Sequence, residues 1–245
     1  MCTRIGTYFM VSVVIPAHNE EKLIASSLEG LVRQKTDQPF EVIVVDNDST
    51  DRTKEIALQY AQKLNLRVVH QRIKGRGAAR LMGFEKAKGD IIMSTDADAV
   101  VPPNWIENLS RSLISSNAVA VSGTSKIKDC DLLTNLSFNL SQPFFNVSYR
   151  IMMGHFWLSG FNFAVYKEAY QKSGGFNPRL NALEDTDLAF KVSRVGKIKY
   201  INNLPVLMSG RRFRKKPLKQ TFSYVTTFIG YFVRNKKDII MPDIR

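Results

Sequence analysis

The chain has 245 residues, 44% of them hydrophobic and 23% charged, a balance that allows one substantial core. Its two cysteines, Cys2 and Cys130, have no paired spacing, no CxxC and no histidines in company, which excludes a disulfide framework and a zinc site and fits a reducing compartment. The formal net charge of +13 calls for an anionic partner, whether nucleic acid, an acidic membrane surface or a phosphorylated substrate, and the excess is local: Arg211, Arg212, Arg214, Lys215, Lys216, Lys219, Arg234, Lys236 and Lys237 follow one another with no acid until Asp238.

No apolar run reaches the length of a bilayer, since Phe222 to Val233 is too short and contains Ser and Thr. Met1 to Met10 has no long apolar stretch, so a signal peptide is not expected, and the Asn-x-Ser sequons at Asn108, Asn135, Asn139 and Asn146 read as chance matches.

Taken in order, Val11 to Ile15 predicts a first strand ended by Pro16, which cannot continue a central ladder. Asn19 then reads as a helix N-cap with Glu20 and Glu21 in the first turn, and Leu23, Ile24, Leu28, Leu31 and Val32 as the inward stripe. A second strand, Glu41 to Val45, runs into the polar turn Asp46 to Asp51 and a helix with Ile56, Tyr60 and Leu64 on one face. Val68-Val69 is a third strand, followed by the basic turn Lys74 to Gly77 and a helix to about Lys88, with Gly89 closing it. Asp90 to Ser94 is a fourth strand, apolar without alternation and therefore covered on both faces.

This alternation predicts a parallel, doubly wound α/β sheet. Beyond it come a helix from Asn104 to about Ser115, a strand at Ala118 to Val121, an aromatic and Asn-rich stretch from Leu132 to Met153 in which Pro143 interrupts any single helix, a strand from Leu158 to Tyr166, a turn at Gly174-Gly175-Phe176 and a helix from Leu183 to Val195. Trp105 is expected to anchor its helix start in the core. His18 and His155 are expected to be turn and packing residues.

Ligands of open α/β sheets sit beyond the carboxyl ends of the strands. That edge collects Pro16 to Glu20, Asp46 to Asp51, Arg76 to Arg80 and Asp96 to Asp98. Asp96 and Asp98 repel each other unless a cation stands between them, and Mg²⁺ or Mn²⁺ takes a carboxylate or two and fills its other positions with water and diphosphate oxygens. The alternative is a turn in which Asp caps the helix after Pro102-Pro103. Neither G-x-G-x-x-G nor G-x-x-x-x-G-K-[ST] follows a strand, which disfavours a dinucleotide site and a P-loop. Arg76 and Arg80, with a metal at Asp98, could hold a diphosphate instead.

Five motifs in order carry a resemblance: Val13-Val14-Ile15-Pro16-Ala17-His18-Asn19-Glu20, Val44-Val45-Asp46-Asn47-Asp48-Ser49-Thr50-Asp51, Gly77-Ala78-Ala79-Arg80, Asp96-Ala97-Asp98 and Glu184-Asp185-Thr186-Asp187-Leu188. Together they resemble the motif set of family 2 glycosyltransferases of the GT-A fold, over about residues 11–213. The resemblance implies a single GT-A domain, with a nucleotide-binding half at 11–100 and an acceptor half at 101–213, followed by a basic, aromatic tail at 214–245. It also implies transfer of a sugar from a nucleoside diphosphate with inversion.

Residue by residue, the resemblance assigns Asp46 to the nucleobase, Asp96 to the ribose or sugar, Asp98 to a divalent cation (Mn or Mg) and Asp185 to the base that deprotonates the acceptor. Pro16, Ala17, Asn19, Glu20, Asp48 and Glu184 join the donor site through the same motifs. A helix N-terminus lowers a carboxylate's pKa, so Asp185 is expected to be ionised at neutral pH, with Glu184 opposing.

The chain departs from the pattern at three places. Asp46-Asn47-Asp48-Ser49 stands for the commoner Asp-Asp-Gly-Ser, and Leu81 for an Asn. Ser209-Gly210-Arg211-Arg212-Phe213 occupies the place of a late His ligand, and the pair Arg211 and Arg212 is expected to balance diphosphate charge there.

Phe222, Tyr224, Phe228, Ile229, Tyr231 and Phe232 among the tail's basic residues predict an anionic membrane surface as partner, a polyprenyl or other lipid-linked acceptor, and a peripheral position at the cytoplasmic face of the cell membrane, in glycan or glycolipid synthesis. Two rival readings stand beside this one. A nucleic-acid-binding module would explain the tail but not the acids at the strand ends, and a sugar nucleotidyltransferase would carry a Gly-rich, Arg-containing turn where Pro16 to Glu20 stand.

Overall fold

The computed structural model describes residues 9–214 of the chain. Four apolar runs become the strands β1 (Val11–Ala17), β2 (Phe40–Asp46), β3 (Leu66–His70) and β4 (Ile91–Ser94). They lie side by side in the order β3-β2-β1-β4, all parallel. Because successive side chains on a strand point to opposite faces, β1 feeds two cores at once. Val11, Val13 and Ile15 pack on one face against α1 (Ile24–Val32), α2 (Thr53–Gln59) and α4 (Trp105–Ile114). Val14 packs on the other face, with Ile43 and Val45 of β2 and the residues of α3 (Arg76–Lys86).

The remainder of the sheet is mixed. A two-residue strand β5 (Ala99–Val100) follows β4, and β6 (Ala120–Ile127), β7 (Phe163–Tyr166) and β8 (Ile198–Met208) extend the order to β3-β2-β1-β4-β7-β6-β8-β5. Here β7 runs antiparallel to both β4 and β6, while β6 and β8 are parallel. The helices α5 (Leu132–Met153), α6 (Lys167–Lys172), α7 (Glu184–Ser193) and the short α8 (Arg211–Arg214) complete the described residues. At the centre of this half, buried Asn162 donates to the Thr124 and Leu204 carbonyls, each at 2.8 Å, and accepts from the indole N–H of Trp105 at 2.8 Å. The expectation of Trp105 as a core anchor is met.

Several local expectations are corrected. Strand β1 runs through Pro16 to Ala17, because its pairing with β4 ends at Val14 opposite Ser94 and the missing N–H of Pro16 lies past that ladder. Asn19 is no helix cap: it has a left-handed φ of 53°, and α1 starts only at Ile24. Gly89 does not close α3, which ends with Ala87 in an extended conformation. Gly89 is glycine because an added Cβ would fall 2.6 Å from the Met10 carbonyl and 2.7 Å from the Ser12 nitrogen.

The stretch expected to break at Pro143 is one helix, α5, of 22 residues. A proline forfeits one ladder bond, and side chains on either side of it anchor the helix: Asn139 exchanges two bonds with the Ile127 backbone of β6, and Asn146 donates to the Gln142 carbonyl at 3.0 Å. Of the strand expected at Leu158 to Tyr166 only Phe163–Tyr166 pairs as β7. The preceding residues are diverted to other partners described below.

Candidate active site

The first two motifs hold each other. The backbone N–H groups of Asn19, Glu20 and Glu21 donate to Ser49 Oγ (3.0 Å), Thr53 Oγ1 (2.6 Å) and Asp51 (3.1 Å). In return the Asn19 side chain accepts from the Thr50 N–H at 2.8 Å. The turn after β1 is thus zipped to the turn after β2. Asp48 takes a left-handed φ of 60°, which explains why a glycine suits this position and why Asp, which tolerates that region, can replace it.

Asn47 explains the other departure. Its amide donates to the Gln71 and Ile73 carbonyls at 2.9 and 2.7 Å while its oxygen accepts from the Gly75 N–H at 2.9 Å, tying down the loop before α3. A carboxylate could not make the two donations. The same loop carries Arg76 to the strand-end edge, where its guanidinium makes no hydrogen bond or ion pair with the described residues.

Asp46 is buried at the end of β2, accepts from the Ser49 N–H and lies 3.4 Å from His70 Nδ1. His70 is the residue paired with Asp46 across the β2–β3 ladder, and sequence reasoning missed it. A histidine at the end of the third apolar run, in register with a motif carboxylate, was the available signal. His18, expected as a satisfied turn residue, has a buried Nδ1 without a hydrogen-bond partner among the described residues. His155 packs as expected, its ring 4.6 Å from that of Phe190.

At the end of β4 the chemistry concentrates. Arg80 is 2% exposed and spends both terminal nitrogens on carboxylates, donating to Asp96 at 2.6 Å and to Glu184 at 2.7 Å. Glu184 is likewise turned inward onto Arg80. The next residue, Asp185, is only partly buried and accepts from the Gly160 N–H (3.1 Å) and the Thr186 N–H (2.7 Å). Gly160 could not be another residue here, since an added Cβ would lie 2.7 Å from Arg80 Nη2. Its carbonyl accepts from Ser94 Oγ at 2.8 Å, which is what pulls the chain out of β7 before Phe163.

Leu183, just ahead of α7, has φ +60°, a conformation that costs a bulky residue roughly 1–3 kcal/mol and that here sets the direction of the Glu184-Asp185 pair. Asp185 is pushed up to about 7, chiefly by loss of solvent and then by the Glu184 charge, with Arg80 and the two backbone N–H groups pulling down. The expectation of an ordinary ionised carboxylate is corrected, because desolvation outweighs the helix terminus.

Asp98 and Glu20 meet at a third arginine. Arg211 Nη2 stands 2.9 Å from Asp98 and 2.5 Å from Glu20, and Arg211 Nη1 donates to the other Glu20 oxygen at 2.8 Å. Arg211 therefore stands between two carboxylates. Arg212 lies in α8, and its side chain is outside the described residues, as is the tail beyond Arg214. Asp98 does not cap a helix; the chain continues from it into β5. A cleft lined by Leu23, Ser26, Val100, Lys128 and Met208 opens beside it. Among the described residues no group of three or more His, Cys, Asp or Glu is arranged to hold a metal.

Comparison with known proteins shows the family of the chain. Residues 12–174 match the family described as glycosyl transferase family 2. Chondroitin synthase of Pasteurella multocida is 32% identical over 136 residues, 55% of this chain but 14% of that protein. The undecaprenyl-phosphate 4-deoxy-4-formamido-L-arabinose transferase of Pectobacterium atrosepticum is 36% identical over 104 residues, 40% of this chain and 32% of its own length. The chain thus spans a minor part of these relatives. Among solved structures, the mannosyltransferase PcManGT of Pyrobaculum calidifontis, in complex with GDP-Man and Mn²⁺, superposes with a TM-score of 0.70 at 23% identity, covering 96% of this chain and 66% of that one.

Proposed function

The chain belongs to glycosyl transferase family 2 and has the GT-A fold, and from that premise we propose that it moves a sugar from a nucleoside diphosphate to the hydroxyl or phosphate of a lipid-linked acceptor, with inversion at the anomeric carbon. Membership of this family sets aside the nucleotidyltransferase and nucleic-acid readings. The observation that carries the proposal is the convergence on buried Arg80 of Asp96, from a strand end, and Glu184, from the helix that presents Asp185.

In the proposed reaction Asp185 takes the proton of the acceptor as the acceptor oxygen bonds to the anomeric carbon. The bond from that carbon to the diphosphate oxygen breaks, and its electron pair leaves with the nucleoside diphosphate. One displacement without a covalent intermediate inverts the configuration. A base near 7 is available at neutral pH and still basic enough to hold the proton. Asp46 and His70 are assigned to the nucleobase, Pro16, Ala17, Asn19 and Asp48 to the walls of the donor site, Asp96 to the ribose or sugar, and Arg76 to the diphosphate.

The residues fit a divalent cation, Mn²⁺ or Mg²⁺, at Asp98. The guanidinium between Asp98 and Glu20 marks a position where two carboxylates face one positive charge, and a hard cation needs few protein ligands when diphosphate oxygens supply the rest. When bound, such an ion neutralises charge on the departing diphosphate. The Pyrobaculum enzyme's complex with Mn²⁺ and the Pectobacterium enzyme's named lipid phosphate support the cation and the acceptor class. No described helix is long and apolar enough to cross a membrane, and the proposed place of work is the cytoplasmic membrane face, reached peripherally.

The test is calorimetry of UDP-sugars against GDP-mannose with Mn²⁺, followed by incubation of the bound donor with polyprenyl phosphate. Release of nucleoside diphosphate with a glycosylated lipid is expected. Failure of every donor to bind would overturn the proposal.

A further inference from the structure

Helix α5 is built inside out. Its three asparagines turn toward the protein, where Asn135 bonds both to and from the Cys130 backbone, Asn139 to Ile127, and Asn146 lies fully buried beside Tyr200. Its large apolar residues turn out. Leu133, Leu136, Leu140, Phe144, Val147 and Ile151 are 74, 53, 68, 75, 52 and 79% exposed. At 3.6 residues per turn these six fall within an arc of about 80°, so they form one continuous stripe along the helix. Scattered apolar residues on a surface need no explanation; a stripe of this length does.

We infer that this stripe is the surface by which the protein lies on an anionic lipid bilayer, with the apolar side chains entering the headgroup boundary. Charge identifies the occupant. Exposed Lys126 and Lys128 stand ahead of the helix beside Asp129 and the cap Asp131, Arg150 stands on it, and α5 itself carries no acid. The Phe213 ring packs 5.1 Å from that of Phe138 on the same helix, and the sequence that follows Phe213 is basic. Two copies meeting through α5 would bring these cations together, whereas an anionic membrane complements them, at about 1 kcal/mol for each Lys or Arg near the surface. The far end of α5 passes through Gly154 into the segment that ends at Gly160, the residue holding Asp185, so a membrane at α5 adjoins the acceptor side of the site. The inference deepens the lipid-acceptor reading and rests on it for its purpose.

The experiment is flotation of the full chain, without donor or acceptor, on vesicles of equimolar phosphatidylcholine and phosphatidylglycerol. The comparison is with the triple variant Leu140→Ser, Phe144→Ser, Ile151→Ser, whose side chains contact little protein. The wild type should float and the variant's partition should fall by at least about tenfold, with an unchanged circular dichroism spectrum. Should the variant not fold, Phe144→Ser and Ile151→Ser singly should each lower partition several-fold. Equal flotation of variants and wild type overturns the inference. So does a wild type that ignores vesicles but forms a dimer that the variant dissolves. Calorimetry of nucleotide binding, run without vesicles, separates failure here from failure of the proposed chemistry.

Discussion

Arg80 and Glu184, 104 residues apart, meet at 2.7 Å with both side chains buried, and Arg80's other terminal nitrogen holds Asp96 at 2.6 Å. One guanidinium thereby fixes the helix that presents Asp185 against the strand end that presents Asp96. Removing it leaves the buried carboxylate of Glu184 without this cation and frees the partly exposed Asp96 from the same clamp. Arg80→Met should cost roughly 3–5 kcal/mol in urea unfolding, and Arg80→Lys should recover little of it, since an ammonium cannot fork to two acids. A loss under 1 kcal/mol would mean the clamp contributes nothing.

Asp185→Asn keeps the shape and one acceptor but removes the base. Turnover should drop by about a hundredfold or more while donor affinity changes little. In the wild type, kcat/KM should rise with pH through about 7, as the carboxyl that burial and Glu184 hold protonated becomes free to accept. If Glu184→Gln is the more crippling change, the base is assigned one residue too late.

The same group makes stability depend on pH. Its folded pKa of about 7 lies above the ordinary 3.8, so between these values the folded state holds a proton that the unfolded state has lost. Stability from this group therefore falls as pH rises from about 4 to about 7. Relative to wild type, Asp185→Asn should gain thermal stability at pH 8 and little at pH 4, by about 2–4 °C for each kcal/mol relieved. Parallel melting curves at the two pH values would contradict the shift.

Asp98 and Glu20 share Arg211, and a divalent cation is proposed for the same position. Mn²⁺ should tighten nucleoside diphosphate binding by at least about tenfold, and Asp98→Asn should abolish that increment. Arg211→Ala should strengthen Mn²⁺ binding in the absence of nucleotide, read by electron paramagnetic resonance, because it removes the positive charge that competes with a cation for Asp98 and Glu20. Identical nucleotide binding with Mn²⁺ and with chelator would remove the cation from the site.

Thr53 is fully buried, accepts the Glu20 N–H and donates to Asp51 at 2.5 Å. Thr53→Val keeps the volume, orphans the Glu20 N–H and takes the hydroxyl donor from Asp51, which keeps the Glu21 and Thr53 N–H groups. A destabilisation of about 1–3 kcal/mol is expected in urea unfolding, with weaker donor binding as the first turn loosens.

Local pattern was enough for the first half of the sheet, since β1, β2 and β4 are apolar runs buried on both faces, the half-buried edge strand β3 is marked by Val68-Val69, and their helices carry inward stripes. It was enough, too, to bring Asp46, Asp96, Asp98 and Asp185 to notice, because each follows a strand or opens a helix. It failed at Pro143, where cross-links from Asn139 and Asn146 outweigh one lost backbone bond, and at Leu158 to Tyr166, where distant partners claim the Gly160 backbone.

What the sequence determined by itself was the periodicity, and with it which residues stand at the ligand edge. Only the tertiary structure decided what those residues do there. Arg80 is buried between Asp96 and Glu184, Arg211 stands across Asp98 and Glu20, and burial pushes Asp185 up to about 7. The reason is that charge pairing and desolvation act through space between residues as many as 191 positions apart, and no local pattern encodes that distance.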